Sequence, residues 1–409
     1  MPSALLPGDP VPADGRLPQQ AAVAQGTRNF GAYVHVPYCR VRCGYCDFNT
    51  YTAKELGNTS RSHYASEVCD EISFSARALD DSGIKPRQLS TVFFGGGTPT
   101  ILPATDLAQM LAKLRETFGI VAGAEVTTEA NPDSVDREYL QTLKDAGFTR
   151  VSFGMQSAVP EVLQVLDRTH TPERVPQVVA WAKEAGLETS VDLIYGAPGE
   201  TLEQWRRSVK AALACDPHHI SAYALIVEPG TKLAAQIARG EYQQPDDDLH
   251  AEMYELADQE FAAAGYSWYE ISNWSKTLDT RSRHNLAYWQ GHDWWGYGPG
   301  AHSHVGGVRW WNVKHPRAYA DRIAQGISPG FAREVLDAET RRVEQVLLET
   351  RIADGLPQSR LTASESRRVA ELIANGLVDP VSALQHKRIV PTLRGRLLAD
   401  TVVATLLAS

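Results

Sequence analysis

Along this chain, short runs rich in apolar and β-branched residues alternate with longer stretches whose apolar positions recur every three or four residues. The short runs predict strands at 32–36, 91–94, 125–129, 150–154, 188–195 and 219–225. The longer stretches predict helices at 60–79, 102–118, 135–146, 161–166, 172–185 and 202–214. Strand and helix repeated in this way imply a parallel sheet with crossover helices. Six such units are too few for a closed eight-unit barrel. The pattern therefore predicts an α/β fold built on an incomplete six-unit β/α barrel, open at one side. After residue 227 the pattern changes to an acidic amphipathic helix at 245–264 and a short strand at 268–271. Residues 281–312 then concentrate His, Trp, Tyr and Gly. Beyond 316 the chain is helical through 340–351 and 363–375, and it closes with short strands at 377–378 and 389–390 and a helix over 392–407. That last part reads as a mostly helical, winged-helix-like module with an interaction or lid role. Residues 1–28 are rich in Pro, Ala, Gly and Gln and are expected to form a flexible tail, with order beginning near Phe30. The expected division is a tail at 1–28, a partial barrel at 29–230, a barrel extension at 231–315 and the helical module at 316–409.

Parallel α/β folds place their chemistry at the carboxyl ends of the strands, and every unusual polar cluster here falls at such an end. After the first strand come Cys39, Cys43 and Cys46, in Cys-x3-Cys-x2-Cys spacing. Thiolates this close in one loop suit an iron–sulfur cluster. Three of them hold three irons of a cubane and leave the fourth open to a small chelate, such as the amino and carboxylate groups of S-adenosylmethionine (SAM). Structural zinc fits less well, because it wants four closed ligands. The second strand runs into Gly95-Gly96-Gly97-Thr98-Pro99-Thr100, a turn whose backbone can approach a ligand and whose amides can bind a carboxylate. Glu129 ends the third strand, placed to accept bonds from a ribose diol, while Asp133 and Ser134 are the expected caps of the next helix. Gln156, Asp192 and Ala224 belong to the fourth, fifth and sixth strands, and Arg168 joins the same rim.

Composition narrows the function. The net charge of −9 disfavours a general nucleic-acid binder. Five cysteines, an odd number with three clustered, argue against a disulfide framework and for a reducing cytoplasm. Cys69 and Cys215 fall in helical patterns and read as ordinary buried thiols. No apolar stretch approaches the ~18 residues of a membrane span, and no secretory signal is visible.

The cysteine loop resembles the cluster loop of the radical SAM superfamily. Tyr33-x-His35-x-Pro37-x-Cys39, the Gly95–Thr100 run, Glu129, Gly154-Met-Gln156-Ser and Asp192-Leu-Ile-Tyr-Gly196 together resemble the oxygen-independent coproporphyrinogen III oxidases and their relatives. The resemblance implies a radical SAM barrel with a [4Fe-4S] cluster on Cys39, Cys43 and Cys46. It implies SAM contacted by Tyr33, Gly96, Gly97, Thr98 and Glu129. Tyr45, Gln156, Arg168, Asp192 and Ala224 match positions around a second SAM in the oxidases. One departure is specific: the oxidases carry a further cysteine two residues after the third, where this chain has Phe48. Their long amino-terminal arm is also replaced by the unpatterned tail. Both features resemble the sister group, the HemW-type heme chaperones, as does the His284-Asn285-x-x-Tyr288-Trp289 motif. That resemblance implies heme bound through His284, a usual iron ligand. Arg281 and Arg283 would face the propionates, and His292, His302 or His304 would supply a second ligand. The plain alternative for His284 is a structural histidine in a packed aromatic loop, and Gly296–Ala301 is an alternative backbone surface for the SAM adenine. The implied partners are heme and an acceptor protein, membrane-bound acceptors met by peripheral contact included. The competing function is oxidative decarboxylation of coproporphyrinogen III, and a third is radical SAM methylation. SAM cleavage and oligomeric state stay open.

Overall fold

The computed structural model describes residues 7–23, 28–56 and 61–408. Six strands, β1 (Phe30–Val36), β2 (Leu89–Gly96), β3 (Ile120–Ala130), β4 (Arg150–Gln156), β5 (Glu188–Tyr195) and β6 (His219–Ala224), pair in parallel in chain order. Successive side chains of a strand point to opposite faces. Val34, Val92, Phe94, Val126, Val151, Phe153, Val191, Leu193 and Ile220 are buried in the main hydrophobic core, together with apolar residues of helices Tyr64–Asp81, Ala104–Phe118, Arg137–Ala146, Arg174–Glu184 and Leu202–Ala214. The alternate positions Thr127, Glu129, Ser152, Ser190, Asp192 and Ser221 line the barrel interior instead. The expected six-unit partial barrel is what the chain forms.

Several boundaries differ from expectation. The helix expected from Ser60 runs from Tyr64, and Ser60 itself lies outside the described residues. Helix Arg137–Ala146 is capped by Asp136, which accepts from the Tyr139 amide at 2.8 Å, and not by Asp133 or Ser134. The final helix is interrupted at Leu398 into Leu393–Leu397 and Ala399–Leu407. The strand at Arg388–Ile389 pairs with Leu356–Pro357, whereas residue Val378 only bridges Pro391. The carboxyl-terminal helices keep a core of their own, containing Val346, Leu356, Leu372, Ile389 and Leu406.

The larger correction concerns how the sheet is extended. Residues 281–312, within the expected barrel extension, contain helix Arg283–Trp289 and strands Asp293–Tyr297, His302–Val305 and Val308–Asn312. Strand Asp293–Tyr297 pairs in parallel with β1, and the following strands continue antiparallel to Gly330–Val335. At the other edge, Asn273–Ser275 and Ser267–Glu270 extend the sheet beyond β6. The amino-terminal tail is partly ordered as well. Asp9–Pro10 pairs with Gly330–Val335, and Leu17 and Ala21 enter the main core. Pairing with a distant edge strand supplies the backbone bonds that local composition could not foretell. Residues 1–6 and 24–27 of the expected tail lie outside the described residues. Among the described residues no helix is long and apolar enough to cross a membrane.

One buried carboxylate staples the extension to the barrel. Glu71, on helix Tyr64–Asp81, accepts from the Gly298 amide at 2.7 Å, the Asn312 amide at 2.8 Å and the Tyr319 hydroxyl at 2.6 Å. Burial pushes its pKa up to about 7 against these three bonds. Gly296–Ala301 therefore packs against this staple and Asn49, which donates to the Pro299 carbonyl at 2.9 Å. It does not line the barrel interior. Replacing Glu71 by Ala leaves three buried donors unpaired, at roughly 1–3 kcal/mol each. Urea unfolding of Glu71→Ala is expected to show a loss of at least about 3 kcal/mol; a loss under about 1 kcal/mol would mean water replaces the staple.

Candidate functional site

The inward-facing positions of the six strands enclose one chamber of about 990 Å³. Its rim is made by the loops after the strands, and its floor by residues at the strand starts and helix Arg283–Trp289. Fourteen of the residues expected from the sequence to bind cluster, SAM or heme line this chamber. They are Cys39, Cys43, Cys46, Tyr33, Tyr45, Gly96, Gly97 and Thr98, then Glu129, Gln156, Arg168, Asp192, Ala224 and His284.

The cysteine loop is held against the glycine turn. Gly97 and Thr98 donate their amides to the Val36 and Tyr38 carbonyls, both at 2.8 Å. A Cβ on Gly97 would meet the Tyr38 carbonyl oxygen at 2.5 Å and the Cys39 sulfur at 3.0 Å, so only glycine fits. Gly96 has φ of 107°, and a Cβ there would strike the His35 ring at 2.6 Å. Arg168 places a guanidinium nitrogen 3.6 Å from the Cys43 sulfur, and Thr98 its hydroxyl 3.9 Å from the Cys39 sulfur. Neither Cys69 nor Cys215 lines the chamber. Three thiols on one wall with no fourth beside them fit a cluster that keeps one iron open. Burial pushes the Cys39 thiol up to about 11, so loading a metal there must expel a proton.

Next to the thiols stands the group of residues that fits SAM. Tyr33 donates its hydroxyl to Nδ1 of His35 at 3.0 Å. That direction is fixed because Nε2 of His35 must donate to the Asn49 carbonyl, 2.9 Å away. Glu129 accepts the Gly96 amide at 3.1 Å. Burial, reinforced by the Asp192 carboxylate, raises the Glu129 pKa to about 8. A carboxylate whose pKa is raised by burial ionises more readily once a cation or hydroxyl donors come beside it. Asp192, also raised by burial, accepts from the Ser152 hydroxyl at 2.9 and 2.8 Å. Gln156 sits at φ of 62°, a left-handed conformation that favours glycine. Backbone strain of this kind collects at ligand sites. Arg168 donates to the Gly154 carbonyl at 2.9 Å, yet its Nε is buried without a partner, as is the Thr127 hydroxyl. Both residues line the chamber, and unpartnered buried polar atoms of this kind call for a specific explanation.

The floor is where expectation and structure part. His284 is buried against Phe93, ring centroids 5.1 Å apart and nearly parallel. Nδ1 lies 2.9 Å from the Thr91 hydroxyl and Nε2 2.8 Å from the Tyr288 hydroxyl. Both ring nitrogens are thus engaged, and neither offers a free lone pair to iron in this arrangement. Burial holds the ring neutral, with its pKa lowered to about 3. The motif's local role is to plug the barrel. Glu125 accepts the Arg283 and His284 amides at 2.8 and 3.2 Å, and Arg150 joins Glu125 to Glu188 and to the Thr280 carbonyl. The plain reading of His284 as a packed structural histidine describes this geometry. Arg281 pairs with Asp354 at 3.1 Å and Arg283 donates to the Gly123 carbonyl at 2.7 Å, so neither lines the chamber where propionates were expected. His292, His302 and His304 also lie off the chamber. His304 donates to the His292 carbonyl at 3.1 Å, and His302 stacks on Trp311.

Sequence reasoning missed the polar wall opposite the SAM residues. Ser190 meets Nδ1 of His219 at 2.7 Å, and Nε2 of His219 meets the Tyr269 hydroxyl at 2.8 Å. Thr127, Arg150, Ser152 and Ser221 complete that wall. The signal was present as a period of two: Glu125-x-Thr127, Arg150-x-Ser152, Ser190-x-Asp192 and His219-x-Ser221-x-Tyr223 alternate with apolar positions, and Thr128 alone interrupts the pattern before Glu129.

A barrel of this form, with three thiols and a glycine turn at its rim, defines a radical SAM protein. Residues 33–212 match the family model described as Radical SAM superfamily. Over 379 residues the chain is 47% identical to the heme chaperone HemW of Mycobacterium tuberculosis, covering 92% of this chain and 95% of that protein. It is 33% identical over 385 residues to the heme chaperone HemW of Bacillus subtilis, covering 92% and 98%. Its fold is that of coproporphyrinogen III oxidase HemN from Escherichia coli, with a TM-score of 0.77 at 24% identity over 95% of this chain and 92% of that one. The chain belongs to the HemW family of radical SAM proteins. Membership implies SAM and a [4Fe-4S] cluster as cofactors.

Glu129 gives a test with a defined sign. Its folded pKa lies above its unfolded value, so stability is full below about 4.5 and is lost as pH rises through about 8. Ligand-free protein is expected to lose stability between these limits, and Glu129→Gln to flatten that loss, as read by urea unfolding at a series of pH values. The same variant is expected to bind SAM about tenfold or more weakly by calorimetry. An unchanged slope and affinity would remove Glu129 from the site.

Proposed function

We propose that this protein is a cytoplasmic heme chaperone on a radical SAM core. It carries a [4Fe-4S] cluster on Cys39, Cys43 and Cys46, holds SAM beside it, binds heme, and passes the heme to an acceptor protein. The observation that carries this reading is the mouth of the chamber. Val41, Phe48 and Ile226 stand there 48%, 59% and 68% exposed, beside exposed Arg40. Grouped exposed apolar side chains mark an interaction site. They suit an apolar macrocycle, and a guanidinium suits its propionates. Phe48 occupies the position where the oxidases carry a cysteine, so an apolar ring faces the entrance there. The printed names of the related proteins, heme chaperone HemW, support the same function.

When bound, the cluster and SAM supply reductive cleavage of SAM. The chain's own residues have simpler tasks. The Gly96–Gly97 backbone and Glu129 grip the ligand's polar groups, Tyr33 closes the chamber beneath them, and Arg168 offsets thiolate charge at Cys43. The acidic net charge of −9 argues against nucleic acid as a partner. A second reading, decarboxylation of coproporphyrinogen III with two SAM molecules, is favoured by one observation. Gln156, Arg168, Asp192 and Ala224 share the chamber with Tyr33 and Glu129.

Two assays on anaerobically reconstituted protein decide between them. Heme titration followed by the Soret band is expected to saturate. Incubation with coproporphyrinogen III, SAM and a reductant is expected to yield no decarboxylated porphyrinogen. Product without saturable heme binding would replace the chaperone reading with the oxidase.

A further inference from the structure

Beside the chamber lies a second cavity of about 500 Å³. Asp167, Arg168 and Thr169, with Val41 of the cysteine loop, line both. The turn that carries Arg168 is fixed against the half of the loop that carries Cys43. Asp167 adopts a left-handed φ of 53°, a conformation that Asp tolerates better than most residues but that still strains the backbone. Its carboxylate accepts from the Lys232 ammonium at 2.7 and 2.9 Å. The same carboxylate lies so close to the loop that a Cβ on Gly44 would meet its Oδ2 at 2.6 Å. Leu233, next to Lys232, donates its amide to the Gly44 carbonyl at 2.9 Å.

This turn delivers a guanidinium to one sulfur. One terminal nitrogen of Arg168 lies 3.6 Å from the Cys43 sulfur, and the other donates to the Gly154 carbonyl at 2.9 Å. Its Nε is buried without a partner. Among the described residues no carboxylate forms an ion pair with it, and Cys43 is its strongest charged neighbour. A buried cation needs an anion to compensate it, and the anions on offer here are the cysteine thiolates. The two arginines inside the cysteine loop are placed otherwise: Arg40 is exposed, and Arg42 pairs with Glu55 at 2.8 Å. Reduction adds one negative charge to an iron–sulfur cluster. Its potential therefore responds to nearby charge and to hydrogen bonds at its sulfurs.

We infer that Arg168 sets the reduction potential of the cluster, holding it higher through a charge-assisted hydrogen bond to the Cys43 sulfur. The inference rests on the placement of the cluster on Cys39, Cys43 and Cys46 proposed above, and it assigns the residue that governs how readily that cluster is reduced. The cluster gains one electron from a low-potential one-electron reductant. No bond forms or breaks at Arg168, and its protons stay on the guanidinium, which does not deprotonate in proteins. Arg168 acts through the sulfur and is a positioning residue in this role.

The test is a redox titration with dithionite, followed by EPR, of the full-length, anaerobically reconstituted protein without SAM. Arg168→Gln and Arg168→Lys are titrated beside it, with cluster absorbance and circular dichroism as controls. At the wild-type midpoint, Arg168→Gln is expected to show a ratio of reduced to oxidised cluster about tenfold lower, a shift of about 59 mV for a one-electron couple. Arg168→Lys keeps the charge and is expected to recover most of that shift. A merely structural arginine would give equal shifts in the two variants, and that result overturns the inference. If Arg168→Gln fails to fold or to load a cluster, Arg168→Met takes its place under the same criterion. Loss of the fold or the cluster from both uncharged variants also overturns the inference, because Arg168 would then hold the site together and not tune it. A wild-type midpoint in an uncharged variant overturns it as well; if that variant binds one SAM fewer by calorimetry, Arg168 belongs to a SAM site instead. A wild type that loads no cluster overturns the cluster assignment itself.

Discussion

The two-faced barrel strand is the constraint on which this structure depends. One set of alternate side chains, such as Val92, Val126, Val151 and Val191, is buried beneath the helices. Each contributes about 1.5–3 kcal/mol of burial. The other set is polar and faces inward, so the barrel cannot close on itself as a packed core. A register slip of one residue would send Glu129 and Asp192 into the apolar layer and the valines into the chamber. Burial of the outer face therefore fixes the register, and the register fixes which side chains converge on a ligand. The inward polar groups survive burial because they pair with each other, as Ser152 does with Asp192 and Ser190 with His219.

A hollow barrel needs a floor, and the histidine-containing motif provides it. The Arg150 guanidinium, buried between Glu125 and Glu188, also holds the Thr280 carbonyl, while Glu125 takes the first amides of helix Arg283–Trp289. Removing one partner of such a buried set costs roughly 3–5 kcal/mol, because the remaining charges stay desolvated. The aromatic density of this segment then has a structural explanation. His284 stacks on Phe93, Tyr288 meets His284 edge-on, and Trp294 packs on Tyr288, sealing the strand starts against water. In this geometry the motif's histidine takes part in packing the floor of the chamber.

The barrel was legible because its signals are local. Strand and helix periods, the cysteine spacing and the glycine run each lie within a dozen residues, and the chemistry sits at the strand ends as parallel folds require. What was not legible depends on partners far apart in the chain. Asp9–Pro10 is a strand only because Gly330–Val335 offers an edge. Asp293–Tyr297 is parallel to β1 across more than two hundred residues of chain. Glu71 reads as one acid among several on an amphipathic helix until Gly298, Asn312 and Tyr319 arrive around it. The contacts of His284 with Tyr288 and Thr91, and of His170 with the Met155 carbonyl, are likewise encoded by no spacing rule. The inward alternation in β3 to β6 is the exception. It was readable, and attention to apolar runs passed over it.

The wall shared by the two cavities follows from the same geometry and links them physically. Arg168 reaches the Cys43 sulfur with one nitrogen and the Gly154 carbonyl with another. His170, two residues on, is tied to the Met155 carbonyl of the same strand. A change of charge on the thiol side acts on a buried guanidinium in a low-dielectric setting, where it is weakly screened. The polar barrel interior suits SAM, whose charged and hydroxyl groups match its carboxylates and amides.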